Sequence, residues 1–381
     1  MKVSLTDICD FQGGTQPPKD EWIDQPAQGY VRMLQIRDFT QSDKNYIEYV
    51  KDTGKLKTCI EDDILIGRYG ASIGKILTGL AGAYNVAIVK TIPDEKVVSK
   101  KYLYWYLNSQ YFQRFISNVG SRAAQAGFNK NDLGAAQIPL VDKERQEEIC
   151  EVLEKANKLI SLRKQQLAKL DELIKARFVE MFGTFPANPF RWSTGKIQDV
   201  VSDVRYGSSR PAVEGGKYPY LRMNNITYSG KLDLHDTKRI DIPDSELDKC
   251  TVRRGDVLFN RTNSKELVGK TCVYNRDELM VLAGFIIRVR VNERIRPEVL
   301  SAFLNMDFSK RMLIGMCKTA IGQANINAKE LQNIDLYIPP IELQDQFVAL
   351  KNKIDQQKQT VQQSLEKLEL LKKALMQEYF G

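Results

Sequence analysis

The sequence lacks the features that mark several large classes of protein. Its 381 residues include one histidine, His235, and six cysteines, none of which stands in a Cys-x-x-Cys pair. Zinc fingers need closely spaced cysteine and histidine ligands, so that type of site is excluded. No stretch approaches the roughly 18 apolar residues of a membrane span, and the N-terminus carries no apolar signal-peptide region. We therefore expect a soluble, cytoplasmic protein with reduced thiols.

Motifs of catalysis are missing as well. The chain has no Gly-x-x-x-x-Gly-Lys-Ser/Thr loop for ATP and no Gly-x-Gly-x-x-Gly loop after a predicted strand. It also has no Asn/Asp-Pro-Pro-Tyr motif of amino-methyltransferases and no Glu-x-Lys tripeptide of a common nuclease metal site. His235 lies in the polar run 231–238 without a matching nucleophile, so we interpret it as a surface residue. These absences predict no catalytic residue, no metal site and no cofactor in this chain, and they favour a binding function.

Positive charge exceeds negative charge. The chain has 56 Lys and Arg against 48 Asp and Glu, which gives a formal net charge of +8 and a pI of about 9.0. A basic balance favours nucleic acid or another anionic surface as the partner. On charge alone, a merely soluble basic protein fits equally well.

A long internal repeat organises the sequence. Five segments return in the same order: Tyr30–Ile36 as Tyr220–Ile226, Asp63–Arg68 as Asp256–Arg261, Gln125–Asn129 as Gln323–Asn327, Lys169–Leu170 as Lys367–Leu368, and Met181–Gly183 as Tyr379–Gly381. The separation between paired segments grows through the front of each half and is constant through the back. A front that tolerates insertions is typical of a loop-bearing globular domain, and a gapless back is typical of a long regular element.

This pattern predicts that each half consists of a mixed α/β domain, the head, followed by a long helix, the tail. β-Branched and aromatic runs between Gly, Pro and Asn breaks predict strands at Tyr30–Ile36, Asp63–Ile66, Asn85–Lys90, Tyr218–Met223, Asp256–Phe259 and Phe285–Val291. Helical spacing of apolar residues predicts helices over Ser99–Ser117 and Arg296–Met312.

The tails carry a seven-residue apolar repeat of the coiled-coil type. In the second tail this seam comprises Phe347, Ile354, Val361, Leu368 and Leu375, with Leu350 and Leu371 at the intermediate position and Gln357 and Ser364 at its polar centre. In the first tail it comprises Ile149, Val152, Ala156, Leu159, Leu167, Leu170, Ile174, Phe178 and Met181, with a slip near 163–166. Because a lone amphipathic helix of this length must bury its apolar stripe, we expect the tails to pair with each other.

The predicted fold class is α+β. It has two repeated mixed α/β domains, each followed by a long α-helix, and the two helices pair as an antiparallel coiled coil with pseudo-twofold symmetry that holds the heads apart. The predicted boundaries are 1–141 for the first domain, 142–183 for its helix, 184–340 for the second domain and 341–381 for its helix.

Both heads place polar and basic residues at matched positions beside predicted strands. Arg, Lys and small polar side chains meet DNA phosphates, and Arg, Asn and Gln read base edges. The candidates are Arg32, Gln35, Arg37, Arg68, Tyr69, Ser72, Lys75, Arg122, Gln125 and Lys130 in the first head, and Arg222, Asn224, Asn225, Arg261, Thr262, Asn263, Lys265, Lys318 and Gln323 in the second. For each of them, a hydrogen bond within a loop is the alternative role.

Matched residues and differing residues suit different tasks. A residue shared by both heads suits phosphate contact or fold maintenance, whereas a residue that differs suits base choice. The differing positions are Gln35 and Arg37 against Asn225 and Thr227, and Tyr69 and Ser72 against Thr262 and Lys265.

Over essentially its full length, the chain resembles the specificity (S) subunit of Type I restriction–modification systems. The resemblance rests on the duplicated plan and on three patterns found in both halves: a Gly…Thr/Ser…Pro loop at 13–18 and 207–211, Asp-Ile/Val-Leu-x-x-Arg at 63–68 and 256–261, and an Ile-Pro…Gln hinge at 138–146 and 338–344. The first hinge lacks the second proline that the second hinge has as Pro339-Pro340, which puts its rigidity in question.

The resemblance implies a non-catalytic subunit with two target-recognition domains. Each domain would read one half of an asymmetric bipartite site in double-stranded DNA. The helices would set the spacer and dock two methyltransferase (modification) subunits, which restriction subunits can join. S-adenosylmethionine, ATP and Mg²⁺ would be bound by those partners, and the assembled complex would carry DNA methyltransferase and ATP-dependent endonuclease activity.

Three alternatives stay open at the level of sequence. The first is a stand-alone bipartite DNA-binding protein without a methyltransferase partner. The second is the specificity subunit of a related system with a fused methyltransferase–nuclease partner, which only the partner gene distinguishes. The third is an enzyme with an unfamiliar site, such as a nuclease, which metal-dependent cleavage by the purified chain would indicate.

Overall fold

The computed structural model describes residues 1–41, 46–122, 127–264, 266–320 and 323–381. The chain forms two compact units. The first comprises Met1–Arg163 and Gln363–Gly381, and the second comprises Lys164–Gln362. Each unit contains one head of short strands and helices together with a part of both long helices.

The head of the first unit contains three small sheets. Its strands are β1 (Lys2–Ser4), β2 (Cys9–Gly13), β3 (Tyr30–Leu34), β4 (Tyr49–Lys51), β5 (Thr58–Cys59), β6 (Leu65–Gly67), β7 (Ile76–Leu77), β8 (Gly82–Tyr84), β9 (Ile88–Pro93) and β10 (Gln137–Pro139). Its helices are α1 (Leu5–Ile8), α2 (Ile36–Thr40), α3 (Lys100–Leu107), α4 (Gln110–Arg122) and α5 (Lys130–Gly134), and α6 (Lys143–Phe182) follows them. The strand orders are β2-β9-β6-β7, β4-β3-β8-β5 and β1-β10.

The head of the second unit repeats this arrangement. Its strands are β11 (Ser193–Lys196), β12 (Val201–Tyr206), β13 (Tyr218–Leu221), β14 (Lys238–Ile240), β15 (Thr251–Val252), β16 (Val257–Asn260), β17 (Thr262–Asn263), β18 (Thr271–Val273), β19 (Met280–Leu282), β20 (Ile286–Val291), β21 (Lys318–Ala320), β22 (Gln323–Asn325) and β23 (Asp335–Ile338). Its helices are α7 (Asp244–Cys250), α8 (Pro297–Asn305), α9 (Asp307–Met316) and α10 (Ala328–Gln332), and α11 (Ile341–Phe380) follows them.

Corresponding sheets have the same topology in the two heads. The orders β12-β20-β16-β18, β14-β13-β19-β15 and β11-β23 match the three sheets of the first head. In each four-stranded sheet of the second kind, one pair is parallel, β3 with β8 and β13 with β19. The described residues of the second head also form the sheet β17-β22-β21. This topology confirms the predicted fold class of two repeated mixed α/β domains, each followed by a long helix.

Each segment that was predicted to form one head helix contains two helices. The segment 99–117 forms α3 and α4, and the segment 296–312 forms α8 and most of α9. In the first head, the Ser109 hydroxyl accepts a hydrogen bond from the backbone N–H of Phe112 at 3.2 Å. A side-chain cap of this kind starts a new helix, because it satisfies an N–H that the preceding turn cannot. The apolar periodicity continues through the break and therefore hides it.

In the first unit, the long helices run antiparallel. The ammonium of Lys372 on α11 donates to the amide oxygen of Asn157 on α6 at 2.7 Å. Eight residues further along α11, Phe380 joins the same apolar cluster as Ile149, which lies eight residues earlier on α6. Later residues of α11 therefore lie beside earlier residues of α6, as antiparallel pairing requires.

The second unit shows the same antiparallel pairing. Phe347, near the start of α11, packs on Phe178 near the end of α6, with ring centroids 5.5 Å apart. Further along α11, Lys358 forms an ion pair with Asp171, which lies earlier on α6. None of the helices in the described part of the chain has the length and hydropathy needed to cross a membrane.

The residues that form the buried seam differ in part from the prediction. On α6, Leu153 and Ile160 are buried, whereas the predicted Val152 and Leu159 are exposed. On α11, the intermediate position is taken by Lys358 and Leu365, and the predicted Leu371 is 50% exposed. The intermediate residue thus lies four positions after the main seam residue, whereas the prediction placed it three positions after. A helix that packs against a head as well as another helix buries this wider stripe, whereas the strict narrow seam belongs to an isolated coiled coil.

A buried glutamine joins each long helix to the head before it. Gln146 and Gln344 are both 0% exposed. The Gln146 side-chain oxygen accepts from Ser99 N at 2.9 Å, and its nitrogen donates to Val97 O and Val141 O at 2.9 and 3.0 Å. Gln344 makes the same three contacts in the second head, with backbone groups of residues 294, 296 and 339 at 2.8–3.0 Å. The two hinges are therefore tied to their heads in the same way, although only the second has two prolines.

Replacing Gln146 by leucine is expected to destabilise the first unit by about 2–4 kcal/mol, because three buried backbone groups lose their partners. Chemical denaturation followed by circular dichroism measures the change. The same substitution at the exposed Gln165 of α6 is the matched control and should leave the free energy of unfolding within about 0.5 kcal/mol. A Gln146→Leu variant as stable as this control would show that the three hydrogen bonds contribute nothing net.

Candidate nucleic-acid interface

An arginine follows the central strand of each head in the same pose. Arg68 comes directly after β6, and Arg261 comes directly after β16. The guanidinium of Arg68 lies 5.0 Å from the ring centroid of Tyr69, and that of Arg261 lies 4.8 Å from the ring centroid of Tyr206. A cation over an aromatic face is attracted by the ring and held in orientation. Both guanidiniums are therefore presented at the end of the central strand.

Backbone contacts hold each of these arginines beside a second strand end. Nε of Arg68 donates to Phe128 O at 2.9 Å. Nη1 of Arg261 donates to Gly284 O at 3.5 Å, and its backbone N–H donates to Phe285 O at 3.0 Å. Each half-buried guanidinium thus uses few of its five donors within the chain, although Nε of Arg261 is itself buried without a partner.

The repeated glycine loops run next to these arginines. A Cβ on Gly14 would lie 2.4 Å from Tyr84 O and 2.1 Å from Asn85 O, and a Cβ on Gly207 would lie 2.2 Å from Leu282 O. Real side chains do not approach a backbone this closely, so only glycine fits at either place. A Cβ on Gly13 would be 3.8 Å from Nη1 of Arg68. The glycine of each Gly…Thr/Ser…Pro loop is therefore a packing requirement, and in the first head the loop lies beside the arginine.

In both heads, a segment from the end of the head pairs with the residues that follow the strand-end arginine. In the first head, Tyr69 forms an antiparallel bridge with Gly127. In the second, β17 pairs with β22, with Thr262 opposite Asn325, and Ile326 N donates to Arg261 O at 2.9 Å. Gln125 and Lys265 lie outside the described residues, as do the side chains of Arg122, Lys318 and Gln323.

In the first head, carboxylates orient the candidates after β3. Gln35 donates to Glu48 at 2.7 Å, and the Arg37 guanidinium pairs with the same carboxylate. Burial raises the pKa of Glu48, but hydrogen bonds and charges from Lys19, Arg37 and Gln35 outweigh it and hold the pKa below its ordinary value. Glu48 is therefore ionised at neutral pH. Arg32 pairs in turn with Asp38 at 3.1 Å.

The remaining candidates of the first head lie at its surface. Lys75 is exposed and Ser72 is half-buried. Lys130 pairs with Asp10. The hydrogen bond from Lys130 and that from Phe11 N hold the pKa of Asp10 below its ordinary value.

In the second head, two predicted contact residues serve the fold instead. Asn225 is 2% exposed, its oxygen accepts from Arg222 N at 2.8 Å, and its nitrogen donates to Asp233 O at 2.8 Å. Thr262 is buried and donates to the side chain of Asn325 at 2.9 Å. Because their polar groups are satisfied inside the head, neither is placed to meet a base edge. Asn224 is exposed and Asn263 is half-buried, so both remain candidates.

Arg222 matches Arg32 in position and in partner type. Its Nη2 donates to the Asp236 carboxylate at 2.9 Å, as Arg32 does to Asp38. Within the described chain, Nε of each of these two arginines is buried and has no hydrogen-bond partner. In both heads an aspartate therefore holds the guanidinium in place, and this shared arrangement indicates a shared role for the two arginines.

The repeated aspartate before each central strand is structural. Asp63 accepts from Ile60 N at 3.0 Å and pairs with Lys90 at 2.6 Å. Asp256 accepts from Arg253 N at 2.9 Å and pairs with Arg290 at 2.9 Å. Each carboxylate closes the turn that leads into the strand whose end carries the arginine. No group of three or more His, Cys, Asp or Glu in the described ranges is arranged to hold a metal ion.

Comparison with known proteins agrees with this geometry. The model of the family described as "Type I restriction modification DNA specificity domain" matches twice, over residues 1–172 and 189–370. The chain belongs to this family. The two matches correspond to the two halves of the internal repeat.

Relatives in this specificity-domain family share modest identity with the chain. It is 24% identical over 402 residues to the type I restriction enzyme MjaVIII specificity subunit of Methanocaldococcus jannaschii, which covers 98% of this chain and 90% of the relative. It is 21% identical over 278 residues to the EcoKI specificity subunit of Escherichia coli, which covers 69% and 60%. A match of 27% identity to the provisionally named MjaX specificity subunit of M. jannaschii covers 50% and 46%. The chain thus spans less than two thirds of the EcoKI and MjaX relatives.

Solved structures establish that the specificity-domain fold is present along the whole chain. The S subunit of a Type-I restriction-modification system from M. genitalium superposes with a TM-score of 0.55 at 14% identity, covering 100% of this chain and 96% of that one. A chain from a structural study of complex assembly and conformational transition of the type I R-M system superposes with a TM-score of 0.62 at 18% identity, covering 100% and 97%.

Two aromatic residues of the second specificity domain were missed at the level of sequence. Tyr206 and Phe285 are 42% and 49% exposed; the Tyr206 ring lies under the Arg261 guanidinium, and the Phe285 carbonyl accepts from Arg261 N. Tyr206 directly precedes the glycine of the 207–211 loop, and this position beside a recognised pattern was the available signal. Phe285 was assigned to a predicted strand, where an apolar residue is expected to be buried.

Proposed function

We propose that this chain is the DNA-recognition subunit of a type I restriction–modification complex. Each head binds one half of a bipartite site in double-stranded DNA. The observation that carries the proposal is the double family match, joined to the strand-end arginine that both heads present over a tyrosine ring. The specificity-subunit names of the relatives support it further.

The two heads differ enough to read different half-sites. The residues that meet the strand-end arginines are unlike, since Tyr69 neighbours Arg68 in sequence whereas Tyr206 reaches Arg261 from another strand. Gln35 is half-buried and Arg37 is exposed in the first head, whereas the corresponding Asn225 and Thr227 of the second head are buried and half-buried. An asymmetric target follows from unlike heads, as a palindrome follows from identical subunits. We place base choice at Gln35, Arg37, Tyr69, Ser72 and Asn224.

Connecting two weakly binding heads in one chain raises affinity. When one head is bound, the other finds its half-site at a high effective concentration. We propose that the paired helices α6 and α11 set the spacer between half-sites and dock two methyltransferase subunits, which restriction subunits can join. We propose that the heads and helices are divided at residues 141, 183 and 340, as the sequence predicts.

The chemistry is assigned to the partners. We propose that this chain is non-catalytic and that S-adenosylmethionine, ATP and Mg²⁺ are bound by the methyltransferase and restriction subunits. A cytoplasmic location follows from the same assignment, because the complex acts on chromosomal and incoming DNA.

A genome-wide methylation map of the host with and without this gene tests the function. We expect deletion to abolish methylation at one asymmetric split motif, and the native gene on a plasmid to restore it. The lost motif gives the half-sites of both heads in one measurement. Unchanged methylation at every motif, in a host shown to express the chain, would contradict the proposal.

A further inference from the structure

A cavity of about 870 Å³ lies in the second unit, between the helices α6 and α11 and the head. Its lining includes Ile174 of α6, Lys358 of α11, Asn305 at the end of α8, Lys310 of α9 and Tyr228 of a head loop. None of the described DNA-contact candidates lines it. The cavity is therefore distinct from the surface around the strand-end arginine.

Lys310 is a nearly buried cation on the cavity wall. Lys310 is 7% exposed. Its ammonium donates to Gly269 O at 2.6 Å and lies 5.6 Å from the ring centroid of Tyr228. Among the described residues, no carboxylate pairs with it. Burial, together with the nearby charges of Lys175 and Lys270, lowers the pKa of Lys310 to about 8. The ammonium retains two N–H donors for another acceptor.

Asn305 lines the same cavity and carries a buried, unused acceptor. Its side-chain nitrogen donates to Thr271 O at 2.7 Å and to Ser301 O at 2.9 Å. These two carbonyls fix the orientation of the amide. Its side-chain oxygen is buried and accepts no hydrogen bond from the described chain. A buried acceptor without a partner is unfavourable, and a bound donor removes that penalty.

The other charges on the lining leave an excess of positive charge. Lys175 pairs with Asp307 at 2.7 Å, Lys351 pairs with Asp355 at 2.6 Å, and Lys358 pairs with Asp171. Outside these pairs, the described lining carries three cations and one carboxylate: Lys231, Arg276, Lys310 and Glu298. An anion is the complementary ligand.

The first head shows that the fold does not need a charged side chain at the position of Lys310. Gln113 of α4 donates to Gly74 O at 2.9 Å, as Lys310 of α9 does to Gly269 O. The two glycines are equivalent, because a Cβ on Gly74 would meet the following Ile116 of α4 and one on Gly269 would meet Leu313 of α9. A glutamine therefore satisfies the same carbonyl without burying a cation.

We propose that this cavity binds a free phosphate compound, such as inorganic phosphate or a phosphate monoester. The Lys310 ammonium donates to a phosphate oxygen, and the P–OH group of the monoanion donates to the Asn305 oxygen. A phosphodiester of the DNA backbone has no such hydroxyl, so the Asn305 acceptor favours the free compound over DNA as the source of the phosphate. This site adds ligand binding to the proposed DNA recognition and does not depend on it.

Calorimetric titration of the full chain with inorganic phosphate, at constant ionic strength, tests the proposal. We expect saturable binding to the native chain and at least roughly tenfold weaker binding to a Lys310→Gln variant, because a charged hydrogen bond is lost. Sulfate, which has no hydroxyl at neutral pH, should bind more weakly than phosphate. Lys217→Gln, which removes an exposed lysine of the same head, is the matched control and should bind phosphate as the native chain does.

Thermal melting in phosphate-free buffer separates binding from folding. Lys310→Gln should melt no lower than the native chain, since the first head uses glutamine at this place and the variant removes a buried cation. If that variant does not fold, Lys231→Gln on the exposed rim of the lining should still weaken phosphate binding. Affinity for a duplex carrying the target motif should be the same for Lys310→Gln and the native chain.

Three results would overturn the proposal. The first is the absence of saturable phosphate binding by the native chain, and the second is equal phosphate affinity in Lys310→Gln. The third is a loss of duplex affinity in Lys310→Gln, with phosphate competing against DNA, which would identify the occupant as the DNA backbone. None of these results bears on whether the heads recognise a bipartite site, which the methylation map measures.

Discussion

Replacing Phe380 by alanine is expected to destabilise the first unit by about 3–5 kcal/mol. Phe380 is the penultimate residue of the sequence, yet it is 1% exposed. Its ring centroid lies 5.2 Å from that of Tyr102 and 6.1 Å from that of Tyr106, in the main apolar cluster of the head. The substitution therefore opens a cavity between the end of α11 and α3, which the surrounding helices cannot fill.

Hydrogen exchange resolves this effect unit by unit. Peptides from α3 should lose protection in Phe380→Ala, whereas peptides from α8 in the second unit should keep it. Leu370→Ala on the same helix is the control, because Leu370 is exposed and should change stability by less than about 0.5 kcal/mol. If α3 exchanged at the native rate in Phe380→Ala, the docking of the helix end would not support the head.

The second unit has an equivalent aromatic contact at the end of α6. Phe182 ends α6 and packs on Phe178 and Phe347 at 5.0 and 5.4 Å. It comes from the repeated Met/Tyr-Phe-Gly segment that also supplies Phe380. Phe182→Ala should therefore reverse the exchange pattern, with α8 losing protection and α3 retaining it. The two variants serve as reciprocal tests.

Glutamate in place of Arg261 or Arg68 is expected to weaken binding of the target duplex by roughly 10–100-fold. The change removes a guanidinium held at a strand end and places a negative charge against the DNA. If the arginine meets a phosphate, affinity should fall on all sequences and the dependence of affinity on salt should become shallower. If it meets a base edge, discrimination should relax at one position of one half-site.

Fluorescence anisotropy of the assembled complex, with duplexes that carry the mapped motif or single-base changes in it, distinguishes these outcomes. Arg254→Glu is the control in the second head, since Arg254 is exposed and pairs with Asp277 at 2.8 Å away from the strand-end surface. Arg68→Glu should affect one half-site and Arg261→Glu the other. Native affinity in both variants would remove these arginines from the interface.

Much of the architecture was predictable, because it depends on local patterns. The repeat, the alternation of short strands with Gly and Pro breaks, and the long apolar periodicity correctly indicated two mixed heads and two long helices. The helix α6 begins at Lys143 because the Asp142 carboxylate accepts from Arg145 N at 2.8 Å, which is a capping signal that the sequence contains. The strand-end arginines were likewise found from the repeated Asp-Ile/Val-Leu-x-x-Arg pattern.

Other predictions failed where distant neighbours decide the outcome. Asn225 has the residue type and the strand-end position of a base reader, yet backbone carbonyls of the following loop surround its amide. Tyr206 lies far in sequence from Arg261, so no local pattern associates them. The seam of α11 includes Lys358 because Asp171 of α6 faces it, and a hydropathy pattern places no lysine in an apolar seam.

The sequence by itself determined the duplication, the order of heads and helices, and the family, since each rests on residue type and spacing along the chain. Only the tertiary structure decided which helix residues are buried, which polar side chains are used inside the heads, and that Lys310 and Asn305 line one cavity. The physical reason is that burial and hydrogen-bond satisfaction depend on groups brought together from distant parts of the chain, whereas helix and strand formation depend on neighbours within a few residues.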